Sequence, residues 1–115
     1  MTVILRPALI PSAELTTKPL AAPISGTDVS RSQVAFMTEE RSVISGVWEA
    51  DPGVSRWDFA GHGEIIHILS GAMTIQRDGE EPEHVGAGDS VVFPIGWAGT
   101  WRVTEPLRKF YVVYK

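Results

Sequence analysis

The chain has 115 residues, enough for one domain with its own core, and a formal charge of −4 from 14 acidic and 10 basic residues. Apolar residues at 43% exclude a fully disordered chain, and with no basic run longer than Arg108-Lys109 a phosphate backbone is not the expected partner. The absence of cysteine removes disulfides and thiolate ligands. The opening apolar stretch is broken by Arg6 and Pro7, too soon for a secretory segment or a membrane span, so the expected location is cytoplasmic, with no membrane partner.

Pro7, Pro11, Pro19 and Pro23 remove four amide donors near the N-terminus, which predicts an extended, non-helical course over residues 6–24. Val3–Leu5 can form a short strand on a sheet edge, or belong to a mobile arm. Residues 1–31 therefore read as an extended arm and 32–115 as the folded body.

From residue 32 the pattern is strand after strand. Ser32–Thr38 leads to a polar corner at Glu39-Glu40-Arg41, then Ser42–Ala50, a turn at Asp51-Pro52-Gly53, and Val54–Ala60. After Gly61-His62-Gly63 come Glu64–Leu69, a break at Ser70-Gly71, and Ala72–Arg77 ahead of an Asp78-Gly79 hairpin turn. Pro82–Val85, Ser90–Phe93, Thr100–Thr104 and Phe110–Tyr114 complete the series. Short strands punctuated by Gly and Pro, with no sustained helical periodicity, define an all-β sandwich or barrel.

Two segments carry a resemblance. Gly88-Asp89-Ser90-Val91-Val92-Phe93-Pro94-Ile95-Gly96 has the form G-D-x-x-x-x-P-x-G, and Glu64-Ile65-Ile66-His67-Ile68-Leu69-Ser70-Gly71 is similar to E-x-x-Y-V-L-x-G. In this order, joined by a hairpin, they resemble the second and first motifs of the cupin superfamily (RmlC-like jelly roll). Gly46–Gly53, Gly96–Trp101 and the tail Val103–Lys109 further resemble the small single-domain group related to the ureidoglycine aminohydrolase cupin domain. The resemblance covers about residues 32–115 and implies a single-domain jelly-roll β-barrel. By family habit it also implies a homodimer associated through its sheets.

Metal-binding cupins take two histidines and a glutamate from the first motif and one histidine from the second. Here the second-motif histidine position holds Gly99, and the first-motif pair falls on Asp58 and Ala60 or on Trp57 and Phe59. Glu64 alone remains, and one carboxylate does not hold a transition metal tightly. The expectation is a protein without a metal or other cofactor.

Strand alternation sorts the side chains. If position 99 faces the cup, Trp101 and Val103 do too. Either Arg56 and Asp58 or Trp57 and Phe59 share the interior, and the rings are favoured because unpaired buried charges cost more. Glu64 shares a face with Ile66 and Ile68, and His67 points outward with Ile65 and Leu69, which then need cover from a second layer. The candidate ligand-binding set is Trp57, Phe59, His62, Glu64, Ile66 and Trp101, with Glu64 and His62 the candidate acid–base groups. Against this stand a cup filled by its own rings and a Glu64 held by Arg56, Arg102 or Arg108. His84 reads as a surface residue. Three functions follow in order: a metal-free pocket for a small polar metabolite, a metal-independent enzyme (epimerase, isomerase, lyase or amidohydrolase-like) with Glu64 or a histidine as general base, and a structural or regulatory partner subunit.

Overall fold

The computed structural model describes residues 1–115 and contains nine strands and two short 3-10 turns. The strands are β1 Thr16–Pro19, β2 Pro23–Gly26, β3 Val29–Met37, β4 Val43–Ala50, β5 Gly53–Asp58, β6 Gly63–Arg77, β7 Glu83–Gly86, β8 Ser90–Phe93 and β9 Ala98–Tyr114. All pairings are antiparallel.

Two long strands organise the fold. β6 pairs with β9 along its whole length, from Gly63↔Tyr114 to Arg77↔Gly99. The second half of β9 also pairs with β4 and its first half with β5, so the sheet divides into two leaves sharing one bent ribbon. One leaf runs β1-β3-β4-β9-β6-β8 and the other β2-β5-β9-β6-β7. The bend falls where the β6–β9 register slips between Ile68 and Met73, opposite Pro106, which has no amide to give the ladder. Gly71 sits at this corner with φ +87°, and a β-carbon there would lie 2.1 Å from the Pro106 carbonyl oxygen. Only glycine fits both conditions.

β1, β2, β7 and β8 each have a single neighbour, so the jelly roll is a curled, open half-barrel and not the closed barrel expected. The Ser70-Gly71 break is a corner within β6, and Thr100–Thr104 and Phe110–Tyr114 are two ends of one strand. The Asp78-Gly79 turn lies in a longer connection than a two-residue hairpin, because pairing resumes only at Ile75↔Glu83.

The N-terminal region also departs from expectation. Val3–Leu5 forms no strand, and residues 6–24 are not simply extended: 3-10 turns form at Pro7–Leu9 and Ser12–Glu14, followed by β1 and β2. Proline disfavours helix interiors, but its fixed φ suits the start of a turn, and Pro7 and Pro11 occupy such positions. A charge network pins these turns to the outer face of the first leaf. Glu49 accepts hydrogen bonds from Ser12 (2.9 Å), Arg31 (3.2 Å) and Arg108 (2.7 Å), and Arg108 also donates to the Pro7 carbonyl (2.8 Å). Burial raises the Glu49 pKa, but these donors outweigh it and hold the carboxyl below the ordinary glutamate range.

Candidate functional site

The cup lies between the leaves. Alternation on β9 sends Trp101, Val103, Leu107 and Lys109 inward, all buried. On β6 the same rule buries Glu64, Ile66 and Ile68 and exposes His67, whose Nδ1 lies 2.8 Å from the Ser90 hydroxyl. On and just beyond β5, Phe59 is buried and Trp57 half-buried, while Arg56 and Asp58 face solvent and Arg56 pairs with Asp78. The rings therefore take the interior, as the cost of burying charge predicts.

The interior is a stack of aromatic rings. Trp57 lies on Trp101 with centroids 4.0 Å apart, Trp48 meets both edge-on at 6.0 Å, and Phe59 and Phe93 continue the cluster toward Trp97. Backbone hydrogen bonds from Phe59 to the Trp97 carbonyl and from Gly96 to the Phe59 carbonyl clasp the rim (both 2.8 Å). His62 is half-buried at this rim, with its ring edge-on to Phe59 at 5.4 Å. His84, which contacts the Thr74 hydroxyl, is on the surface.

Glu64 does not meet any of the three arginines proposed for it. Arg102 and Arg108 have the outward parity on β9, and Arg56 is taken by Asp78. Its partner is Lys109, whose Nζ donates to Glu64 Oε1 at 3.2 Å. The lysine is 1% exposed and the glutamate 6%. The ammonium also sits 4.1 Å from the Trp101 centroid, 4.6 Å from Trp48 and 5.8 Å from Trp57, a three-indole cage of cation–π geometry. Burial among the rings pushes the Lys109 pKa down, and the charge and hydrogen bond of Glu64 pull it partly back. Half-buried Tyr111 is pushed up, first by burial and then by the Glu64 charge. One buried donor, Trp101 Nε1, has no acceptor. Such a group costs about 1–3 kcal/mol.

Sequence reasoning missed Lys109, although the alternation that turns Trp101 and Val103 inward also turns residue 109 inward. The structure brings Trp57, Phe59, Glu64, Ile66 and Trp101 together around it, with His62 at the rim. No group of three or more His, Asp or Glu side chains is placed to hold a metal ion. At the family's second-motif histidine position, a β-carbon on Gly99 would lie 2.2 Å from the Gln76 carbonyl oxygen and 2.7 Å from the Trp97 ring. Backbone and indole occupy the space a ligating side chain would need. The concavities of the molecule lie elsewhere: grooves of ~370 and ~430 Å³ beneath the N-terminal residues, and one of ~50 Å³ beside Trp97 and Glu80. None is lined by Glu64 or Lys109, so the rings and the ion pair fill the cup.

An all-β jelly roll with a Gly-Asp turn into β8 and an inward glutamate on β6, in which no cluster of side chains is placed to hold a metal ion, is a cupin-superfamily domain. Residues 37–111 match the EutQ-like cupin domain, and the chain belongs to that family. It is similar in structure to the EutQ protein of Clostridium difficile, with a TM-score of 0.64 and 25% identity over 75% of this chain and 68% of that one. A DUF861-family protein of unknown function from Pseudomonas syringae pv. tomato gives a TM-score of 0.76 at 25% identity, over 86% of this chain and 43% of that one. A protein described as a predicted oxalate decarboxylase from Thermotoga maritima shares the fold, at 18% identity and a TM-score of 0.71 over 92% and 97% of the two chains. No curated protein matches the sequence. These likenesses support EutQ and DUF861-type cupins and give no support to the ureidoglycine aminohydrolase group in particular. No helix is long and apolar enough to cross a membrane.

Proposed function

We propose that this domain is a metal-free binding module for a small polar metabolite, taken into the cup with Glu64 and Lys109 orienting it and Trp57, Phe59, Ile66 and Trp101 supplying apolar contact. One observation carries the reading: a buried Glu64–Lys109 pair beside an unpartnered Trp101 Nε1. Taking two charges out of water costs several kcal/mol per ion, and apolar residues of similar volume would hold the leaves together as well or better. Polar groups that stability does not require point to a ligand. Entry needs the cup to loosen, and Trp57, the half-buried ring of the cage, is the side chain that would move. His62 stands at the rim beside it. Catalysis with Glu64 as base is the extension of this reading, and the sequence resemblance of Gly46–Gly53 and Gly96–Trp101 to the ureidoglycine aminohydrolase cupin, which the structural comparisons do not support, adds amides and ureido compounds to the ligands worth testing.

A second reading rests on the filled cup: a structural or regulatory subunit that acts through its surface. Ile65 and Val92, aligned across β6 and β8, are 41% and 59% exposed on the outer face, and a homodimer through this face is part of the proposal. A thermal-shift screen of wild-type protein against small acids, amides and carbonyl compounds separates the two. A ligand that raises the melting temperature of wild type but not of Glu64→Gln supports the pocket. A screen with no stabilising compound overturns it.

A further inference from the structure

We propose that Lys109 captures small aldehydes or ketones covalently, its amine condensing with the carbonyl to form an imine inside the indole cage. The proposal rests on the cup being a ligand site and names the ligand class.

The chain has three lysines, and they differ sharply in surroundings. Lys18 and Lys115 are exposed, whereas Lys109 is 1% exposed with Glu64 its sole hydrogen-bond partner. A neutral amine is the nucleophile, and a lysine desolvated in an apolar pocket is the kind that forms Schiff bases. One further requirement of the reaction is met by its neighbour. A proton carrier is needed, and Glu64 Oε1 lies 3.2 Å from Nζ.

The step balances without an oxidant or reductant. Glu64 takes a proton from the ammonium, and the freed lone pair of Nζ attacks the carbonyl carbon. The carbonyl π pair moves to oxygen, which is protonated to a carbinolamine hydroxyl as the second N–H proton leaves. Glu64 then returns its proton to that hydroxyl, the C–O bond breaks with its electron pair going to water, and the nitrogen lone pair closes the C=N bond. Ammonium and carbonyl compound become protonated imine and water, with Glu64 restored as the carboxylate.

The full chain incubated with propanal and cyanoborohydride, which reduces the imine to a stable alkylamine, gives the test by intact mass and peptide mapping. The expected result is about one propyl group on Lys109 ahead of any on Lys18 or Lys115, since burial among the rings lowers the proton affinity of this amine. Lys109→Arg keeps a cation beside Glu64 but forms no imine, so the fast label is expected to vanish in a chain that still melts cooperatively. Label confined to Lys18, Lys115 and the N-terminus would overturn the proposal. Propionamide, which offers a carbonyl oxygen but no carbon open to imine formation, tells the two failures apart. If it raises the melting temperature while Lys109 stays unlabelled, imine capture is wrong and the ligand cup stands. If it neither stabilises nor is Lys109 labelled, both fall.

Discussion

Replacing Glu64 with Gln keeps the shape of the cup and removes the charge that faces Lys109. At 3.2 Å the attraction between the two charges is about 332/(20 × 3.2), or ~5 kcal/mol, at an effective dielectric constant of about 20. Breaking a buried pair from one side costs about 3–5 kcal/mol, because the other charge is left without compensation. Lys109 can shed its proton instead of enduring the loss, which caps the cost within that range. Unfolding entropy of about 2.1 cal/mol/K per residue makes 1 kcal/mol worth about 4 °C for this chain, so Glu64→Gln is expected to melt about 12–20 °C lower than wild type. Lys109→Met strands the carboxylate in the same way. The double variant removes both charges and should lose less than either single one, since an apolar replacement of a buried pair is often close to neutral. Urea or thermal melts of the four proteins close the cycle. Losses in the double variant equal to the sum of the singles, within about 0.5 kcal/mol, would show that the two groups are not coupled and refute the low-dielectric cup.

The network holding residues 7–15 gives a pH dependence. Hydrogen bonds from Arg108, Ser12 and Arg31 depress the Glu49 pKa despite its burial, so its contribution is full above the ordinary glutamate range and is lost as pH falls through the depressed value. Glu49→Gln should flatten the acid limb of the stability curve and speed hydrogen exchange at the amides of Leu9, Glu14 and Leu15, which close the two 3-10 turns. Elemental analysis after expression in metal-supplemented medium and dialysis should find no stoichiometric zinc, iron, manganese or nickel; one retained equivalent would contradict the crowding at Gly99. Light scattering at micromolar concentration should return about twice 12.5 kDa, and a mass near 12.5 kDa would remove the dimer.

Much of the site was legible in the sequence, because the information needed was local. Side chains alternate along a strand whatever its neighbours are, so placing Gly99 inward is enough to bury Trp101 and Val103. The same rule puts Glu64 with Ile66 and Ile68 and turns His67 out. The choice of Trp57 and Phe59 over Arg56 and Asp58 needed only the relative cost of burying rings and charges. Glycine also spoke locally: Gly88 adopts φ +92° in the Gly-Asp turn, where the Gly88 and Asp89 backbones bond to Ile68. What failed locally was continuity. Ser70-Gly71 and Glu105-Pro106 look like strand ends, yet each is a bend in a strand that continues, because β6 and β9 bend together and keep each other paired.

The sequence by itself determined an all-β cupin fold, an interior lined with aromatic rings and the absence of the family's histidine ligands at their usual positions. Only the tertiary structure decided that Lys109 is the partner of Glu64, that the rings fill the cup, and that the N-terminal residues are bound to the outer face through Glu49 and Arg108. Alternation and turn chemistry act between neighbours in the chain. An ion pair 45 residues apart in sequence, and the volume left among four tryptophans, depend instead on which strands the folded sheet sets side by side.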